Sequence, residues 1–147
     1  MKSFQNISLV GLCLVVFLVI GFNSNASAQC SSYEYCYAAN DSGSNPLCTT
    51  GSYDPCDNYV YWWMEFHRTS STSTHTVLLM ILDGTSIEES FYADNYSPNT
   101  DHKCNSGQWI YVGPSANHEL LVNRVSGFPG SFTNIKPSVR YRATGGI

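Results

Sequence analysis

The chain has 147 residues, a formal net charge of −4 and an aromatic content of 14%, with ten tyrosines and three tryptophans. A weakly acidic chain without a basic run lacks the electrostatic footprint of a nucleic-acid or anionic-membrane binder. It also lacks the alternating βαβ order and long helices of an open parallel sheet, which excludes the usual nucleotide-binding folds.

Residues 1–28 read as a cleavable secretory signal peptide. Lys2 supplies the positive start, and Leu9 to Phe22 form an uncharged apolar run too short for a membrane-spanning helix. Polar Asn23-Ser24-Asn25 leads to Ala26-Ser27-Ala28, a small-x-small cleavage pattern. Cleavage after Ala28 leaves residues 29–147 as one extracellular β domain, secreted and with no membrane segment of its own. Loss of Lys2 makes it one charge more acidic.

Cys13 leaves with the signal, so Cys30, Cys36, Cys48, Cys56 and Cys104 remain. Export puts them where disulfides persist, and an odd count implies two bridges with one cysteine unpaired or intermolecular. Spacing alone does not choose the pairing. The absence of any C-x-x-C and the wide gap between Cys48 and Cys56 argue against a zinc knuckle, and no metal or cofactor is expected.

Residues 29–58 form a cysteine-rich, loop-rich lead-in, with turn formers at Asn40 to Pro46 and Thr49 to Ser52. Asp41-Ser42-Gly43-Ser44-Asn45 has oxygen donors at alternate positions but lacks the remainder of a calcium loop, so it reads as a turn. Tyr33, Tyr35 and Tyr37 alternate with Glu34 and Cys36, and a strand there puts all three rings on one face. Asn40-Asp41-Ser42 and Asn95-Tyr96-Ser97 match the N-glycosylation pattern in predicted loops.

From residue 59 to 147 the pattern becomes strand after strand. The run Tyr59 to Phe66 is bulky on both faces and reads as a strand buried on both sides, with one or both of Trp62 and Trp63 in the core. Thr69 to Ser73 is a polar connector. Val77 to Leu82 is the next strand; Asp83-Gly84 signals a type I′ hairpin into Ile87 to Tyr92. Asp94 to Gly107 reads as loop, and Trp109 to Val112 as a strand. Between 116 and 125, Leu120-Leu121-Val122 flanked by turns favours a strand over a helix capped by Ser115. Val139, Tyr141 and Ala143 alternate with Ser138, Arg140 and Arg142 in a last, half-exposed strand. Six or seven short strands separated by Gly, Pro and Asn turns imply an all-β antiparallel sandwich or small barrel.

The aromatic excess carries the functional reading. Tyr and Trp among small polar neighbours offer rigid contact area at low entropic cost, and sugar rings stack on such surfaces. Tyr33, Tyr35 and Tyr37 are the leading ligand contacts, with Tyr53 and Tyr96 as additions. The sequence therefore suggests a non-enzymatic recognition module whose partner is a glycan or an extracellular protein. A second reading is a small secreted hydrolase with an acid–base pair among Glu65, His67, His75 and His118, where His67 and His75 approach each other across a hairpin. A third is a structural or effector protein, a disulfide-linked dimer through its odd cysteine.

Overall fold

The computed structural model describes residues 32–53, 55, 57–70, 75–113 and 118–142. The signal segment, Cys30 and Cys56, most of the Thr69 to Ser73 connector and Ala143 lie outside them. Ten strands are present: β1 (Tyr33–Tyr35), β2 (Ala38–Asn40), β3 (Cys48–Tyr53), β4 (Tyr59–Arg68), β5 (Val77–Asp83), β6 (Ile87–Tyr92), β7 (Thr100–Asn105), β8 (Ile110–Tyr111), β9 (His118–Ser126) and β10 (Phe132–Tyr141). They form two antiparallel sheets. One has six strands in the order β1-β10-β4-β7, with β2 also on β10 and β8 also on β4; the other runs β3-β9-β5-β6.

The all-β sandwich follows from the period-2 pattern of the long strands. Along β4 every second residue is buried, so Val60, Trp62, Met64 and Phe66 point between the sheets. They meet Leu78, Met80 and Leu82 of β5, Leu120 and Val122 of β9, and Phe91 of β6 in one continuous core. Each such side chain contributes about 1.5–3 kcal/mol on full burial. Phe66 ties the layers together edge-on, its ring centroid 5.1 Å from Phe132 and 6.1 Å from Phe91.

Four expectations need correction. The strands outnumber the six or seven expected, because β2, β3 and β7 lie in stretches dominated by turn formers and polar residues; the strand read over the alternating tyrosines is β1, which ends at Tyr35, before Tyr37. β7, read as loop, is the polar strand Thr-Asp-His-Lys-Cys-Asn at the sheet edge, held by its ladder to β4 and not by apolar alternation. β4 is covered on one side only: its outward residues Tyr59, Tyr61 and Trp63 are half-buried by one another and by neighbouring strands. The β5–β6 hairpin is present, but Leu82 pairs Ile87 and only Gly84 in its turn has positive φ, at 81°. Thr85 N–H donates to Leu82 O, so the turn has the type II pattern, not I′. Residues 118–126 form strand β9, and no α-helix occurs among the described residues.

A disulfide joins Cys36 to Cys48, with Cα atoms 5.7 Å apart. Cys36 lies between β1 and β2 on one sheet and Cys48 opens β3 on the other, so the bond staples one side of the sandwich. Closing this short loop stabilises the fold by about 3 kcal/mol through the unfolded chain.

Candidate ligand-binding face

The outward side of the six-stranded sheet is where aromatic rings concentrate. Odd-numbered residues of β4 point out, and the ladders place Arg140 and Ser138 of β10 opposite Tyr61 and Trp63. Beyond β10, Tyr33 and Tyr35 of β1 stand opposite the same two residues. On the other flank Asn105 faces Trp63, Lys103 faces Glu65 and Tyr111 faces Tyr59. Tyr33 stacks on Trp63 with centroids 5.5 Å apart, and Tyr35 lies 5.6 Å from Tyr33. Ser138, in register between Tyr35 and Trp63, is fully buried although it points outward. A small residue at that point leaves room for the rings to meet above it. Farther along β4, Trp109 packs edge-on to Tyr61 and Tyr111 edge-on to Tyr59.

Cations are interleaved with these rings. Lys103 Nζ lies 5.3 Å from the Trp63 ring, Lys136 Nζ 4.8 Å from Tyr35, and the Arg142 guanidinium 3.9 Å from Tyr59. Lys103 also donates to Glu65 at 2.7 Å, and that bond holds the Glu65 carboxyl below its ordinary range. A hollow of about 420 Å³ opens between Tyr61, Trp63, Lys103, Asn105, Trp109 and Arg140. A second, of about 360 Å³, is lined by Glu65, Asp101, His102, Lys103 and Asn134, so the two adjoin at Lys103.

Three of the five tyrosines singled out in the sequence belong to this side. Tyr33, Tyr35 and Tyr37 are exposed, at 39%, 51% and 54%, and the Tyr37 hydroxyl donates to Asn134 at the border of the second hollow. Tyr53 and Tyr96 do not join them. Tyr53 sits half-buried against Tyr141 and His118, where burial and the neighbouring Tyr141 hydroxyl push its phenol far above the ordinary value. Tyr96 packs on Phe66 with centroids 4.8 Å apart, its phenol raised by burial and by the Cys104 thiol. Tyr61, Trp63 and Trp109, which line the larger hollow, are not among the sequence candidates. The strict alternation of the Tyr59 to Phe66 run was the available signal, since period 2 sends Trp62 and Trp63 to opposite faces.

Of the acid–base candidates, Glu65 and His67 share the outer side of β4, two residues apart, while His75 and His118 lie elsewhere. β4 and β5 belong to different sheets, so His67 and His75 are not hairpin partners. His67 Nδ1 is 2.7 Å from Asp101, and His75 lies beside Asp94 at 3.8 Å. His118 is fully buried in the interior near Tyr141, whereas Glu65 is on the outer face. Among the described residues no three His, Cys, Asp or Glu side chains converge as metal ligands do. Asp41 is fully buried, with its carboxylate accepting backbone N–H groups of Gly130, Ser131 and Phe132. Cys104 is the free cysteine among the described residues; its half-buried sulfur lies 3.3 Å from the Tyr96 hydroxyl. Both glycosylation-pattern asparagines, Asn40 and Asn95, are exposed.

Compared with protein-family models, curated proteins and solved structures, the chain matches none.

Proposed function

We propose that this is an exported recognition protein that binds a glycan on the outer face of its six-stranded sheet. The observation carrying the reading is the continuous row of Tyr33, Trp63, Tyr61 and Trp109 flanking an open hollow with Asn105 at its edge. Pyranose rings present C–H groups on one face and hydroxyls around the rim. Flat aromatic rings match the former, and amide, guanidinium and ammonium groups between them match the latter. A protein partner is the weaker fit. Protein interfaces deplete charge at their centre, whereas here Lys103 and Arg140 line the hollow beside the rings. The apolar run, the small-x-small site after it and the Cys36–Cys48 disulfide support export.

The test is a glycan array followed by titration of the best binder into the full disulfide-bonded protein. Trp109→Ala and Trp63→Ala should each weaken binding about tenfold or more, as loss of a stacking ring does. Tyr92→Ala, an exposed ring on the other sheet, should leave it unchanged. Equal affinity in all three variants would overturn the assignment.

A further inference from the structure

The aromatic face carries a charge bias that stacking alone does not require. The chain has seven Lys and Arg in all, and Lys103, Lys136, Arg140 and Arg142 sit on or beside this face. The four-stranded sheet carries Asp83, Glu88, Glu89 and Glu119 on its strands against one cation, Arg124. Of the acids near the aromatic face, Glu65 pairs with Lys103 and Asp57 with Arg142, while Asp101 is hydrogen-bonded to His67. Arg140 is exposed, lines the larger hollow and has no carboxylate partner among the described residues. Lys136 sets its ammonium over the Tyr35 ring, and its charge also acts on Glu65 opposite it in the ladder. A net-acidic protein thus keeps an unpaired guanidinium among its aromatic rings, where it focuses a local positive field.

We infer that the ligand is an acidic saccharide, whose carboxylate or sulfate group is taken by Arg140. The guanidinium fork offers parallel N–H donors that fit two oxygens of either anion. Trp63, Tyr61 and Trp109 receive the sugar ring, and Asn105 is placed for a rim hydroxyl. The second hollow adjoins the first at Lys103 and leaves room for the next unit of the same chain, so an oligomer is favoured over a single sugar. This inference rests on the glycan reading above.

The test is calorimetric titration of the full disulfide-bonded protein near physiological salt with three hexasaccharides: an oligogalacturonate, a sulfated galactan and a neutral galactan. At least one acidic probe should bind about tenfold more tightly than the neutral one, with the better of the two identifying the anion. Arg140→Gln should bring the acidic-to-neutral affinity ratio close to one, with an unchanged circular dichroism melting curve showing that the fold is intact. Equal binding of acidic and neutral probes, still lost in Trp109→Ala, would overturn this inference and leave the glycan reading standing. An acidic preference that survives Arg140→Gln would also overturn it. Failure of all three probes together with an empty array would remove both.

Discussion

Asp41 follows β2 and reaches across to the start of β10. Beside Asn40, Ser42 and Gly43 it looks like an ordinary turn former. In the fold it is fully buried, and its carboxylate caps the N–H groups of Ser131 at 3.1 Å and Phe132 at 3.3 Å, as well as that of Gly130. Those amides are 89 to 91 residues away along the chain, so no local pattern announces the role. Charge-assisted bonds to buried amides are among the stronger kind. Asp41→Asn, which turns an NH2 group toward N–H donors, should cost about 2–4 kcal/mol in urea denaturation; a loss under about 0.5 kcal/mol would mean that the cluster does not anchor β10. Trp62 and Trp63 make the complementary point. Adjacent and chemically identical, they part because a strand alternates: Trp62 is 6% exposed in the core, and Trp63 stacks outside on Tyr33.

At the scale of strands, legibility tracked apolar content. β4, β5, β6, β8 and β9 were visible because their bulky residues alternate or run together between turn residues. β7 was invisible because its residues are polar and its stability comes from pairing with β4 and from ion pairs such as Lys103–Glu65. β10 was half visible: Ser138 to Tyr141 alternate, but the register shift between Thr133 and Lys136 hides the first half behind a bulge at Asn134, whose φ is 53°. Where β9 leads toward β10, Gly127 has φ of 82°, and a Cβ there would lie 2.4 Å from the Thr76 Cα. Gly127→Ala should therefore cost roughly 3 kcal/mol, combining backbone strain with a backbone clash. Gly107, with φ of 70° but open space around it, supplies the control: Gly107→Ala should cost about 1 kcal/mol. Equal losses in a denaturant titration would show that the Thr76 contact is not tight.

For the whole molecule, most exposed rings and most Lys and Arg side chains belong to the six-stranded sheet, while carboxylates are carried by both sheets. The fold class was legible from strand count and turn chemistry; the aromatic face was only partly so, because it is assembled from β1, β4, β8 and β10, distant in sequence and joined by register. Burial also sets a pH limit. Tyr53, Tyr96 and Tyr141 have phenols raised mainly by burial. A raised folded-state value means that their stabilising contribution is complete below the unfolded phenol value near 10 and is lost as pH rises above it. The protein should lose stability progressively above about pH 10, and these three should ionise only as the fold opens, seen as phenolate absorbance rising together with loss of the strand circular dichroism. Their ionisation in a still-folded protein would contradict that. The most direct test of the central claim is amide chemical-shift mapping on the labelled protein with the best glycan from the array. Shifts should cluster on Tyr61, Trp63, Asn105, Trp109 and Arg140, while β5, β6 and β9 stay unperturbed. Shifts centred on the four-stranded sheet, or on no contiguous surface, would contradict the assignment of the aromatic face as the binding site.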